Sequence, residues 1–286
     1  MYEKKTDTRR TRVFESLGEF YRYAIYDDSC PENTNDNAKF SPSSRKCGSG
    51  WAGTDTWEEA VDLATNGWTD GLRELRYKIN SDNKFIKGIS NRFKMRSDVT
   101  GSFVDVDAYI RGEPECMMEF EMRTEPRFAT IFVSGVASSC VGAEEILNRG
   151  RKILEVVDAL EQNNIRTRIV QIIASEKDDN QDRLIITCKD YQQRLDMESL
   201  NFALCNAAQL RRFAFAAWER APREWREKVG FHQGLFAGYG RPIDGIKKVI
   251  KDMAPTDNEP YIVFDAGVAD HYEKIDEQVE QLITKR

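Results

Sequence analysis

Apolar positions recur along this chain with two periods, and the change from one to the other marks its elements. The pattern is clearest from residue 128. FATIFVS, residues 128–134, reads as a buried strand. A small-residue loop follows, then a helical period over 143–162. Strands are predicted at 166–174 and 183–188, a helix at 196–221, a strand at 260–264 and a last helix at 269–284. In ALEQNNIRTRIVQIIAS, Asn163 or Asn164 takes the turn that ends one helix before the next strand begins. Strands separated by helices predict an α/β fold: an open sheet with helices on both faces.

The first half is less regular. Over 12–26, Phe14, Leu17, Phe20, Tyr21 and Ala24 share one side of a predicted short helix. Residues 27–50 are polar and rich in Asn, Ser, Gly and Pro, so they read as a long loop or partly disordered segment, bracketed by Cys30 and Cys47. Trp57, Val61, Ala64, Trp68, Leu72, Leu75 and Ile79 then recur at helical spacing. Thr54 or Asp55 caps this helix, with Glu58 three residues after Asp55. Gly67 and Gly71 interrupt it, and both tryptophans are expected in the core. A short ordered segment at 102–112, a turn at 112–114 and a strand at 116–123 complete this half. The expected division is a mainly helical or extended region, 1–126, packed on an α/β domain, 127–286.

Composition narrows the function classes. Of 286 residues 40% are hydrophobic, enough for one large core or two small ones. The net charge is −6, which argues against coating DNA with the whole surface but is compatible with a local basic groove. No apolar run approaches the length of a membrane span, and MYEKKTDTRR lacks the apolar stretch of a secretion signal. Cysteines at 30, 47, 116, 140, 188 and 205 match no zinc or disulfide spacing, so reduced thiols in a cytosolic protein are expected. His232 and His271 are the only histidines, and His232 has no evident nucleophile to serve. The zinc-protease, esterase, deaminase and nucleotide-binding motifs are missing. No enzyme activity, cofactor or metal is therefore expected. Asp105, Asp107, Glu113, Glu115, Glu119 and Glu121 would suit a metal-dependent nuclease if they converged. Solvated strand faces carry the same pattern.

The positive charge is concentrated. Within RELRYKINSDNKFIKGISNRFKMR, residues 73–96, eight basic residues (Arg73, Arg76, Lys78, Lys84, Lys87, Arg92, Lys94 and Arg96) meet two acids, a local charge of +6. Tyr77, Phe85 and Phe93 are interleaved. Cations track phosphates and aromatic rings stack on exposed bases, a mixture suited to single strands. The same aromatics would equally anchor a solvated face to the core. A second candidate surface comprises Arg211, Arg212, Arg223, Trp225 and Arg226, with Arg241 beyond the glycine-rich stretch 230–242. Trp225 reads either as part of the core or as a contact residue for a partner protein.

The loop VSGVASSC, with the elements around it, resembles the von Willebrand factor A domain over roughly 127–270. In that family an Asp-x-Ser-x-Ser loop holds a metal. Ser134 stands at the aspartate position, Val136 at the first serine and Ser138 at the second, while Ser139 is out of register. Mg²⁺ wants hard oxygen ligands and a negative charge, so a degenerate loop that does not hold metal in the family manner is expected. WAGTDTWEEAVDLATNGWTDG, GEPECMMEFE and LCNAAQLRRFAFAAWER resemble uncharacterised proteins of tailed bacteriophages across most of the chain. In size and general character the chain also resembles a phage single-stranded-DNA-binding transcription factor that brings a small phage RNA polymerase to DNA. These resemblances imply a non-catalytic accessory protein in the host cytoplasm, binding single-stranded DNA and a partner such as a phage RNA polymerase. The alternatives are a protein–protein scaffold and a metal-dependent nuclease.

Overall fold

The computed structural model describes residues 1–26, 49–69, 72, 94–121, 127–232, 238–243, 245–253, 259–265 and 272–284. Among the described residues, twelve strands run in chain order: β1 (Tyr2–Lys5), β2 (Arg9–Phe14), β3 (Lys94–Asp98), β4 (Phe103–Val104), β5 (Met117–Glu121), β6 (Arg127–Ser134), β7 (Ile165–Lys177), β8 (Asn180–Lys189), β9 (Phe231–His232), β10 (Gly238–Tyr239), β11 (Arg241–Pro242) and β12 (Tyr261–Phe264). The main sheet has the order β1-β2-β8-β7-β6-β12, with β11 added to β7. β12, β6 and β7 are parallel, β8 is antiparallel to β7, and β2 is parallel to β8. A separate small sheet has the order β3-β5-β4.

Burial explains why β6 is so legible. Six of its eight residues are buried, so its apolar run is continuous rather than alternating. Ala129, Ile131 and Val133 pack with helices Ala143–Gln162 and Tyr272–Thr284. Phe132, on the opposite face, packs with Ile246, Val249 and Ile250 around helix Lys247–Asp252. The mixed α/β architecture, a multi-strand sheet flanked by helices, thus stands as expected. Helix Ala143–Gln162 spans the predicted residues, and Asn164 takes the predicted turn with a φ of 58°.

Three elements differ from the expectation. Residues 9–14 form a strand, and the first helix starts only at Leu17. The buried positions of β2 are Arg10, Arg12 and Phe14, so its alternation is carried by arginines that read as polar. Residues 2–5 and 9–14 thus supply one edge of the main sheet. The helix from Trp57 ends at Asn66, where Gly67 adopts a φ of 83°; Trp57 and Trp68 pack on the core. The long helix predicted at 196–221 breaks at Asn206, whose side chain accepts from the Ala208 N–H at 2.9 Å. A π-helical turn, Gln209–Ala214, and helix Phe215–Glu219 follow. Gly53 sits against this break, where a Cβ would lie 2.2 Å from the Asn206 Oδ1.

At the amino end of β7, Lys189 is buried and donates to the Thr167 carbonyl and to Glu161, each at 2.8 Å. Thr167 donates to the same carboxylate oxygen through its N–H at 2.9 Å and its hydroxyl at 2.7 Å. Burial alone would raise the Glu161 pKa; these donors outweigh it and hold the carboxyl below its ordinary value. A depressed folded-state pKa contributes stability that is complete above the unfolded value of about 4.3 and lost as pH falls through the folded value. Glu161→Gln is therefore expected to be destabilising at pH 7. The gap to wild type should narrow as pH falls below about 4, in urea titrations repeated across pH. A gap that does not change with pH would refute this assignment.

Candidate functional site

The loop after β6 lies where α/β sheets place ligands. The helix after β6 leads to β7 on one side, while β12 pairs with β6 on the other, so the carboxyl end of β6 is a topological switch point. Ser134 is fully buried there, and its hydroxyl has no hydrogen-bond partner among the described residues. Gly135 is required by close approach: a Cβ would lie 2.5 Å from Ile173 and 2.9 Å from Gln171. Its N–H donates to the Ile172 carbonyl at 2.8 Å. Asp265 follows β12 and accepts from the Ile246 N–H at 3.2 Å, which places it at the start of helix Lys247–Asp252.

The rest of the loop is fastened from behind. Arg211 donates to the carbonyls of Ser138 at 3.2 Å, Val141 at 2.5 Å and Trp51. Its guanidinium lies 4.5 Å from the centre of the Trp51 ring. The Trp51 indole N–H donates to the Ser139 carbonyl at 3.1 Å. Arg149, on the helix that follows, donates to the Val136 carbonyl at 3.4 Å. Burial holds the Arg211 guanidinium down at about 10, still charged at neutral pH. The carbonyls of Val136, Ser138 and Val141 are thus engaged by arginine, and the Ser138 and Ser139 residues are left exposed. Four carbonyls of the loop, at Val136, Ser138, Ser139 and Val141, are held by Arg149, Arg211 and Trp51.

A buried polar chain lies beneath it. Tyr21 donates to Gln209 at 3.0 Å, Gln209 to Gln171 at 2.8 Å, and Gln171 to the Ala203 carbonyl at 3.0 Å. Burial keeps the Tyr21 phenol well above its ordinary pKa, so it remains a donor. A second network ties β2 to the helices. Arg12 reaches Asp182 at 2.6 Å, the Ala217 carbonyl at 2.7 Å and the Tyr23 hydroxyl at 3.1 Å. The Trp225 indole donates to the other Asp182 oxygen at 2.9 Å. Neither network was apparent in the sequence; the alternation of Arg10, Arg12 and Phe14 was the one available signal.

This corrects the second basic surface. Arg211, Arg212, Trp225 and Arg226 are all buried and form no exposed strip. Arg212 instead donates to the Thr54 carbonyl at 3.1 Å. The extended, many-donor guanidinium suits it to satisfying buried carbonyls at the ends of other elements. Arg223 is exposed and paired with Glu227 at 3.0 Å, and Arg241 is exposed on β11 opposite Glu176. Gly240 packs its backbone against β7, where a Cβ would lie 2.2 Å from the Ser175 hydroxyl.

Of the first basic segment, Arg73, Arg76, Tyr77, Lys78, Lys84, Phe85, Lys87, Arg92 and Phe93 lie outside the described residues. Lys94 and Arg96 stand on β3, in register with Glu121 and Glu119 of β5. Asp105 caps helix Val106–Ile110, accepting from the Asp107 and Ala108 N–H groups at 3.1 Å each. Glu113 pairs with Arg111 at 2.7 Å. Among the described residues, no three His, Cys, Asp or Glu residues gather as a metal site, and no helix is long and apolar enough to cross a membrane.

The family described as a domain of unknown function (DUF7192) matches residues 3–285. No curated protein and no solved structure matches the chain.

Proposed function

We propose that this chain, which belongs to the DUF7192 family, is a non-catalytic accessory protein that holds single-stranded DNA and brings a protein partner to it. The observation that carries this reading is the +6 charge of residues 73–96, with three aromatics interleaved, in a chain of −6. Burial of the rival arginines strengthens it, because they no longer compete as a phosphate-binding surface. The strand order β8-β7-β6-β12, with β8 antiparallel, supports a von Willebrand factor A-like core. The carboxylate-free, arginine-clasped loop supports a degenerate site on it. On this reading the protein works in the host cytoplasm of a bacteriophage infection, with a phage RNA polymerase as the type of partner.

The test is fluorescence anisotropy with a labelled oligothymidine and a matched duplex, from about 50 to about 200 mM salt. Single-strand preference that weakens with salt is the expected result. Combining Lys84→Glu, Lys87→Glu and Arg92→Glu should lower affinity by at least about tenfold, through lost phosphate contacts. No binding to either form at low salt sinks the proposal. A scaffold without DNA is the second reading. It is favoured by the register that sets Lys94 and Arg96 opposite two glutamates.

A further inference from the structure

Among the described residues, the longest run of exposed apolar side chains lies on the small sheet and the helix beside it. Val99, Phe103, Val104, Val106, Tyr109 and Ile110 are each about half exposed or more, reaching 75% at Ile110. Single exposed apolar residues are ordinary, but Val106, Tyr109 and Ile110 stand three and four positions apart on one side of helix Val106–Ile110, a cluster of the kind that marks an interaction surface.

The patch is held in place. Helix Val106–Ile110 is too short to be stable alone, yet both its ends are fastened. Asp105 caps its start, and the Asp105 N–H donates to the Cys116 carbonyl at 2.8 Å. Gly112 closes its end with a φ of 74°, its N–H donating to the Tyr109 carbonyl at 3.0 Å. Ala108 is the one buried side chain of this helix. Its larger apolar residues, Val106, Tyr109 and Ile110, face solvent while its backbone is fixed. A platform ordered in advance lowers the entropy lost on docking, and tyrosine is a preferred centre of such contacts.

Charge selects the occupant. Residues 97–116 carry Asp98, Asp105, Asp107, Glu113 and Glu115 against Arg111 alone, a local charge of −4. Nucleic acid and anionic membranes are repelled by such a collar. A second copy docking face to face would oppose like charges. We propose that this patch is the docking surface for a partner protein, through an amphipathic helix whose apolar side chains are flanked by lysine or arginine. The inference deepens the partner half of the preceding reading and stands apart from its DNA half.

The experiment titrates the full chain with a labelled helical peptide of leucine and lysine. Two controls replace its lysines by glutamate or its leucines by serine. Only the leucine–lysine peptide is expected to bind. The double variant Tyr109→Ser/Ile110→Ser should weaken binding by about tenfold or more, and Asp107→Lys severalfold, with unchanged circular dichroism. Failure of the leucine–lysine peptide to bind, equal binding of the three peptides, or unchanged binding to the double variant would overturn the proposal. So would concentration-dependent self-association that the double variant abolishes, since the occupant would then be a second copy. Oligothymidine binding is read separately in the same samples, so loss of one activity leaves the other interpretable.

Discussion

Replacing Asp182 by alanine is expected to cost the fold about 3–5 kcal/mol, the range for breaking a buried ion pair. Asp182 and Arg12 are both fully buried, and the guanidinium remains charged in the variant because arginine does not release its proton at accessible pH. The Trp225 indole N–H loses its acceptor in the same step. Against a typical total of about 5–15 kcal/mol, such a loss leaves a large fraction of the chain unfolded on mild heating. Urea unfolding followed by circular dichroism should show a lower midpoint with an unchanged slope. Asp182→Asn should be milder, since an amide oxygen can still accept from Trp225. The double variant Arg12→Met/Asp182→Met should recover much of the loss, because Arg10, the other buried cation beside Asp182 at 3.8 Å, keeps its pair with Glu3 at 3.0 Å. An Asp182→Ala protein within about 0.5 kcal/mol of wild type, the scatter of ordinary surface substitutions, would refute this account.

The second large effect is expected at Gly150, inside helix Ala143–Gln162. On helix propensity alone, Gly150→Ala should gain about 1 kcal/mol. Packing reverses the sign. A Cβ there would lie 2.4 Å from the Leu204 carbonyl oxygen, 2.5 Å from the Cys205 sulfur and 2.6 Å from the Cys205 Cα. Two of these are backbone atoms of helix Met197–Cys205, which cannot swing aside like a side-chain tip. The two helices must separate, and overpacking of this kind costs about 1–3 kcal/mol. Gly150→Leu should fall at or above the top of that range. Gly18 is the control: it lies in helix Leu17–Tyr26 with nothing within 4 Å of its would-be Cβ. Gly18→Ala should therefore be neutral or gain up to about 1 kcal/mol. Thermal unfolding of the three variants measures both signs together, and a stabilised Gly150→Ala would contradict the packing.

Much of the secondary structure was legible because one physical cause dominated at each place. β6 is buried on both faces, so its apolar run needs no partner to be recognised. Helix Ala143–Gln162 carries a long 3.6-residue period with Ile146, Ile153, Leu154, Val157 and Leu160 buried. β2 was hidden because two of its inward residues are arginines. The break at Asn206 was hidden because it depends on an Asn side chain turning back on its own backbone beside Gly53. Gly150 itself gives no local sign of the helix it touches.

The candidate sites divide along the same line. By itself the sequence determined the mixed α/β class, the small-residue loop that follows β6 and holds no carboxylate, and the concentration of basic charge at 73–96. Those properties are set by residue type and by neighbours a few positions away. Only the tertiary structure decided which charges are inside. Arg12 is buried by a carboxylate 170 residues further along the chain. Arg211 is buried by carbonyls 70 and 73 residues before it. An arginine in solvent and one spanning two buried elements look the same in sequence, because what separates them is the partner that long-range folding brings to it.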